Sequence, residues 1–293
     1  MKYILFNSLS NNSRGETDAR NWANEFLDGD VKFQTVIGLN YKKFFDKLTS
    51  KDEVTLCGGD GTLNYFVNEI YGYKFKNKLY YAKCGSGNDF YRDVAQYEQN
   101  GRIDLLPFIE KLPLVTVNGI KRRFLNGIGY GIDGDTCLVG DEIRAKDPSA
   151  VINYSSIAIG LLLATHKNEE GKKTGFDTKK ATIECDGETY EFKNVWLSSA
   201  MNGKYYGGGM MAAPNQDRLK NEGTCTLTTL SSKGRLFTLL RFPTYSSGKH
   251  EGKKFIKSIT GKHITVTFDK PCALQIDGDV IKDVLTYKVD YED

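Results

Sequence analysis

The chain has 293 residues, 40% of them hydrophobic and 26% charged, and Lys plus Arg exceed Asp plus Glu by only three. That balance belongs to a folded globular chain of about two domains and excludes a disordered, coiled-coil or collagen-like polypeptide. A net charge this small does not point to a nucleic-acid binder.

Residues 3–6 form a short apolar run that reads as a buried strand, ending in the loop-forming residues 7–13. Ala19, Trp22, Ala23 and Phe26 recur at helical spacing. A strand over 31–37, a short helix marked by Phe44, Phe45 and Leu48, and a strand over 53–57 follow. A helix begins near Thr62 and carries Leu63, Phe66, Val67 and Ile70, and a further strand covers 79–83. Strands that alternate with helices imply parallel pairing in an open α/β sheet. Near Pro113 the rhythm changes. Residues 115–117 and 121–125 flank Asn118-Gly119, and 181–185 and 189–192 flank Asp186-Gly187, both strong hairpin signals. Strands are also expected over 195–200, 224–230, 263–268 and 273–276, with helices over 154–165 and 234–240, so the second part is β-rich. The polar, basic stretch 167–180 reads as a mobile surface loop.

The six cysteines have no CxxC pair and no nearby His at zinc-like spacing, so they read as reduced, mostly buried thiols of a cytosolic protein. The apolar start is too short for a signal peptide. The most apolar helical run, 157–164, is far short of the roughly 20 residues that cross a bilayer, so any membrane contact is expected to be peripheral. His166, His250 and His263 have no ligand spacing, and Ser198 and Ser199 lack a nucleophile-elbow pattern.

The strongest chemical signal is Gly58-Gly59-Asp60-Gly61-Thr62-Leu63-Asn64, between a strand and a helix. Three glycines permit a sharp turn and leave amide donors unobstructed. With the positive end of the following helix they suit a phosphate. Asp60 cannot bind phosphate directly, so it is expected to orient water or Mg²⁺ beside it. The plainer alternative is a tight βα turn. One strand later, Cys84-Gly85-Ser86-Gly87-Asn88-Asp89-Phe90 repeats the pattern. Adjacent parallel strands deliver both loops to the same sheet edge, where ligands bind.

These two loops are followed by Asn126-Gly127-Ile128-Gly129-Tyr130-Gly131-Ile132-Asp133, by Gly207-Gly208-Gly209-Met210 with Pro214, and by Gln275-Ile276-Asp277-Gly278-Asp279. The five blocks, in this order and across nearly the whole chain, resemble the diacylglycerol kinase and sphingosine kinase family, of the soluble bacterial lipid kinase type. The resemblance implies an N-terminal three-layer α/β domain, like that of NAD kinase and phosphofructokinase, over 1–113. A C-terminal β-sandwich-like domain over 114–283 would follow, with ATP in the cleft between the two and a strand at about 284–293 returning to the first. It implies that the nucleotide lies along Asn7, Ser8, Leu9, Ser10, Asn11, Thr35, the loop from Gly58 through Gly59, Asp60, Gly61, Thr62 and Leu63 to Asn64, and Ser86 and Asn88. Ser86 stands where the family usually has Thr. A structural Mg²⁺ would be held by Glu222, where the family usually has Asp, with Leu219 and Thr224 beside it. Asp60, Asp89, Asp277 and Asp279 are the implied catalytic carboxylates. Either of the last two would be the proton acceptor, in an Asp-Gly-Asp where the family typically has Asp-Gly-Glu, and Asp60, Asp89 and Glu222 would share a water–Mg²⁺ network.

The activity implied is transfer of the ATP γ-phosphate to a hydroxyl of a diacylglycerol-like lipid, by a cytoplasmic protein peripheral at the inner face of the membrane. A homodimer is compatible with it, and no nucleic acid is involved. Two other readings stand beside it: a kinase of NAD or another soluble acceptor, and a nucleotide-binding protein without kinase activity. Lys172, Lys173, Lys179 and Lys180 with Lys249, Lys253 and Lys254 make either a face for anionic lipid, at about 1 kcal/mol each, or plain solvated surface. Tyr205-Tyr206 lines an acyl-chain entry or belongs to the core.

Overall fold

Alternating strand and helix occupies the first of two units, Met1–Leu112, in the computed structural model of the chain, which describes residues 1–85, 87–147, 150–168, 170–220 and 223–291. The elements are β1 (Lys2–Phe6), α1 (Gly15–Phe26), β2 (Val31–Thr35), α2 (Tyr41–Asp46), β3 (Glu53–Gly58), α3 (Asp60–Ile70), β4 (Lys78–Lys83), α4 (Asp89–Val94) and β5 (Ile103–Asp104). The sheet order is β2-β1-β3-β4-β5, parallel except for β5. Helical crossovers between consecutive strands make the pairing parallel. Ile4, Phe6, Cys57 and Ala82 pack with Ala19, Trp22 and Ala23 of α1. Leu5, Leu56 and Tyr81 alternate with them and are fully buried on the opposite face, while α2 and α3 meet edge-to-face through Tyr41 and Phe66. The chain leaves β1 for β2 on one side and returns to β3 on the other. The sheet therefore has its topological switch point between β1 and β3.

The second unit, Pro113–Asp293, is mainly antiparallel. It runs β6 (Leu114–Val117), β7 (Ile120–Arg123), β8 (Gly127–Gly131), α5 (Ile132–Lys146), α6 (Tyr154–Leu163), β9 (His166–Lys167), β10 (Lys173–Thr174), β11 (Lys179–Cys185) and β12 (Glu188–Met201). Then come β13 (Tyr205–Tyr206), β14 (Met210–Met211), β15 (Cys225–Ser231), α7 (Arg235–Ser246), β16 (Ile256–Gly261), β17 (His263–Ile276) and β18 (Asp279–Asp290). Both expected hairpin turns form with two positive φ angles, 46° and 79° at Asn118-Gly119 and 48° and 92° at Asp186-Gly187, the type I′ geometry that matches strand twist.

The strand order is β16-β15-β12-β11-β17-β18-β6-β7, and β8 pairs both β12 and β17. β12 and β17 have 14 residues each. The first half of each pairs β11 and the second half pairs β8. Register shifts between Val195 and Leu197 and between Thr267 and Cys272 mark the bends. Irregularities of this kind let a strand pass from one layer to the next. The runs read as separate strands, 189–192 with 195–200 and 263–268 with 273–276, are thus halves of single bent strands. A three-layer α/β unit followed by a β-sandwich-like unit is the result.

Two expectations need correction, and one helix went unpredicted. The C-terminal strand does not return to the first unit: β18 pairs β17 and β6, and its Val284, Tyr287 and Val289 are buried in the second unit's core. The stretch 167–180 is not simply a loop, because β9 and β10 pair within it and β11 begins at Lys179. Helix α5 is absent from the sequence reading because it buries Ile132, Gly134, Thr136 and Gly140 rather than an apolar stripe. At Gly134 a Cβ would sit 2.0 Å from the Ala273 carbonyl oxygen. Gly134→Ala, which gains up to about 1 kcal/mol in an unencumbered helix, is therefore expected to lose about 1–3 kcal/mol here by overpacking, as read from urea denaturation.

Candidate functional site

The loops after β1, β3 and β4 share one edge of the first unit's sheet, at the carboxyl ends of the parallel strands. After β1, Asn7 folds the chain back on itself. Its side chain accepts from the Leu9 amide at 2.9 Å, and its carbonyl accepts from the Ser10 hydroxyl at 2.8 Å. Asn11 and Asn12 are left-handed, at φ 49° and 55°. Asn11 donates to Asp18 at 2.7 Å, and Ser8 meets Thr35 at 3.2 Å between hydroxyl oxygens. Leu9 is largely exposed.

The two glycine loops lie against each other. The Asp60 amide donates to the Gly87 carbonyl at 2.9 Å, and the Cys84 amide to the Gly58 carbonyl at 3.1 Å. A Cβ on Gly59 would stand 2.7 Å from the Gly87 carbonyl oxygen, and one on Gly85 would stand 3.3 Å from the Gly59 nitrogen. The Asp60 carboxylate accepts from the Asp89 amide at 2.7 Å and the Phe90 amide at 3.0 Å, satisfying donors at the start of α4. Asp60 thus clasps the second loop, where an orienter of water or Mg²⁺ was expected. Asn88 is turned into its own loop, donating to the Gly85 carbonyl, and Asp89 is buried. Thr62, Leu63 and Asn64 are buried in α3. Gly61 differs: a Cβ there would meet nothing within 4 Å, and its φ is not positive. A groove of about 550 Å³ opens beside the rim, lined by Asn11, Asp18, Trp22, Lys83 and Gly85 among others. Ser86 lies outside the described residues.

In the second unit, Asp277 and Gly278 make the β17–β18 turn with φ of 47° and 98°. The Asp277 carboxylate accepts from the backbone amides of Leu125, Asn126 (2.8 Å) and Gly127 (3.0 Å), so it anchors the entry to β8. Asp279 is 68% exposed and pairs with Arg122 at 2.7 Å. Arg218 reaches the same segment, donating to the Leu125 carbonyl and, at 2.7 Å, to the Asn126 side chain. The loop expected to hold Mg²⁺ is described up to residue 220 and again from 223. The Leu219 and Lys220 amides donate to Asp217, Lys220 pairs with that carboxylate at 3.4 Å, and the Thr224 carbonyl accepts from Gln216 at 2.9 Å. The Asp217 carboxylate and the Thr224 carbonyl are thus engaged with the protein's own donors. Glu222 lies outside the described residues, and the grouping of Asp60, Asp89 and Glu222 with it.

Residues outside the expected set also matter. Asp133, in the first turn of α5, accepts from Gln275 at 3.3 Å. Desolvation pushes its carboxyl up to about 6, against the opposing hydrogen bonds of Gln275 and Tyr206. The Tyr206 hydroxyl meets Ser199 at 3.0 Å and Tyr245 at 3.2 Å. Tyr206 is therefore core, one of the two readings given to Tyr205-Tyr206. The local signal for Asp133 is its place directly after the glycine-rich β8. A Cβ on Gly129 would overlap its carboxylate at 1.6 Å.

Comparison with known proteins follows the same division. The profile of the diacylglycerol kinase catalytic domain matches residues 2–114, and that of the YegS C-terminal NAD kinase beta sandwich-like domain matches residues 171–288. "Putative lipid kinase YtlR" of Bacillus subtilis is 26% identical over 243 residues, which is 77% of this chain and 73% of the relative. "Putative lipid kinase SAS0691" of Staphylococcus aureus is 25% identical over 261 residues, 86% of this chain and 77% of the relative. A solved structure described as a diacylglycerol kinase from Bacillus anthracis str. Sterne has a TM-score of 0.62 at 21% identity, over 99% of this chain and 93% of that one, and shows the shared fold. The two parts of the chain thus resemble the catalytic and C-terminal domains of lipid kinases of the diacylglycerol kinase type. That likeness supports a phosphotransferase. Among the described residues, no helix is long and apolar enough to cross a membrane.

The Asp133 carboxyl sets a pH dependence whose sign is fixed. The unfolded chain releases this proton near its ordinary 3.8, whereas the folded chain keeps it to about 6. Between those values the folded state holds the extra proton, so this group's contribution to stability falls as pH rises. The full loss is about 3 kcal/mol. Asp133→Asn removes the titration. Its stability relative to the parent, measured by urea denaturation, is expected to rise by about 2 kcal/mol between pH 4 and pH 7.

Proposed function

We propose that this chain transfers the γ-phosphate of ATP to the hydroxyl of a diacylglycerol-like lipid presented at a membrane surface. The observation that carries the reading is the rim of the first unit. Two glycine loops, held together by the Asp60 carboxylate, stand at the carboxyl ends of a parallel sheet beside its switch point, where the first turn of α3 carries amide donors that the helix itself does not use. Such donors suit a polyphosphate. Gly61 supports it further, since neither backbone conformation nor protein packing requires glycine there. The close approach of a ligand does require it. A magnesium ion is taken to arrive on the triphosphate, a usual mode for this small and strongly hydrated cation.

Phosphoryl transfer asks for position and charge neutralisation more than for covalent help from the protein. The lipid hydroxyl oxygen attacks the γ-phosphorus, the bond to the β,γ-bridging oxygen breaks, and ADP leaves. The hydroxyl proton goes to a carboxylate. We assign that role to Asp279, which is exposed and held by a single Arg122 pair, rather than to Asp277, whose oxygens are occupied by three backbone amides.

The test is to incubate the full chain with labelled ATP and a total lipid extract, in parallel with NAD. Label in a phosphatidic-acid-like product supports the reading. Label in NADP alone, or in no acceptor while ATP still raises the melting temperature, overturns it. Asp279→Asn is expected to lower turnover by roughly 10²–10⁴ with ATP affinity unchanged.

The glycines separate fold from function. Gly61→Ala is expected to leave stability unchanged or raise it by up to about 1 kcal/mol. The same variant should weaken ATP binding at least about tenfold. Gly59→Ala is expected to lose both, because it drives the two loops apart. Thermal melts with and without ATP read the difference.

A further inference from the structure

Helix α7 turns apolar side chains outward. Its buried positions are Thr238 and Tyr245, whereas Leu236, Phe237 and Leu240 are 66%, 43% and 71% exposed. Pro243 is exposed as well. Positions 236, 240 and 243 recur at i, i+4 and i+7, so they form one stripe. Helix α6 is tied to α7 by the Arg235 guanidinium, which donates to the Leu161 and Leu162 carbonyls at 3.2 and 2.9 Å. It adds Ile159, also exposed.

Cations frame this stripe. Between Ser232 and Lys257 there are seven Lys or Arg and one acid, Glu251, in a chain that otherwise carries nearly equal numbers of each sign. Arg241 lies over the ring of Phe237 and, at 5.1 Å, over that of Phe255, which joins the stripe to the approach to β16. There Lys253, Lys254 and Lys257 line an open groove of about 650 Å³ together with Tyr190 and Phe192. An outward apolar stripe bordered mainly by positive charge, with Glu191 and Glu251 the acids among it, is the complement of an anionic bilayer surface. Apolar side chains enter the headgroup–acyl boundary, and lysines meet the lipid phosphates.

We infer that α7 and the adjoining segment 249–257 form the surface by which this chain docks on an anionic phospholipid bilayer. Leu236, Phe237 and Leu240 enter it, and Lys249, Lys253 and Lys254 meet its phosphates. The inference rests on the lipid-acceptor reading and deepens it by naming where the chain meets the membrane that presents the acceptor.

The test is co-sedimentation of the full chain with vesicles of phosphatidylglycerol and phosphatidylcholine, and with vesicles of phosphatidylcholine alone. Binding is expected to the anionic vesicles, weakened by salt. It should fall at least about tenfold in L236D/L240D and in K253E/K254E, while melting temperature and turnover of a short-chain, monomerically dispersed diacylglycerol stay unchanged. In Leu240→Trp, a substitution at an exposed position, the fluorescence of the added indole is expected to be quenched by brominated acyl chains. Vesicle binding that neither double variant alters, or an added indole that brominated lipid leaves unquenched, overturns the inference. So does a dimer that L236D/L240D converts to a monomer while vesicle binding persists, which makes the stripe a self-interface. Vesicle binding through this surface with no lipid phosphorylated in any form sinks the kinase reading and leaves the docking surface standing. Phosphorylation of the short-chain acceptor with vesicle binding that ignores these residues does the reverse.

Discussion

Backbone rests on backbone where the loops after β3 and β4 meet, and at Gly59 only a residue without a Cβ permits it. Gly59 faces the Gly87 carbonyl at a distance that excludes any side chain, and Gly85 packs closely against the Gly59 backbone. The Asp60 carboxylate then fastens the contact by accepting two amides at the start of α4. Charge-assisted hydrogen bonds of this kind are among the stronger ones available to a protein. One short contact therefore sets the spacing of two strand ends and two helix starts. The candidate chemistry of the first unit follows from that spacing.

The second unit uses an aspartate in a similar way. Asp277 gathers three amides at the entry to β8, and Arg218 covers carbonyl and side-chain oxygens of the same residues. Both aspartates stand inside motifs that draw attention to them as chemical groups, and both are occupied in positioning backbone. Sequence spacing could not show this. The amides that Asp60 holds lie about 30 residues away, and those that Asp277 holds lie about 150 away. A local motif shows that a carboxylate is present and is silent about which donors have taken it.

The same distinction governs how much of the fold was legible. Strands and helices of the first unit could be read in order as far as β4, because its inner parallel strands are largely apolar and the helices between them show an amphipathic spacing, whereas the short α4 and β5 went unread. Both Asx-Gly hairpins were legible because type I′ turns demand those residues. Helix α5 was not, since it approaches its sheet through glycine and threonine and leaves no apolar period. Nor was the continuity of β12 and β17, whose bends look like strand ends in the sequence although pairing carries on past them. The position of α7 was legible and its orientation was not. A row of leucines normally marks a core face, and here Thr238 and Tyr245 take that place.

The pairing of β8 has a bearing on how the second unit is assembled. This five-residue, glycine-rich strand is sandwiched between β12 and β17, whose paired segments begin about 65 and 140 residues later along the chain. Until both neighbours have been synthesised and bent into shape, β8 has little of its own to bury and no ladder to join. Contacts of such long range make for slow closure, whereas the first unit pairs its parallel strands within its opening hundred residues. A nascent chain would thus carry a finished first unit while the remainder waited, an order of events that suits a chaperone's attention to the later half rather than the earlier.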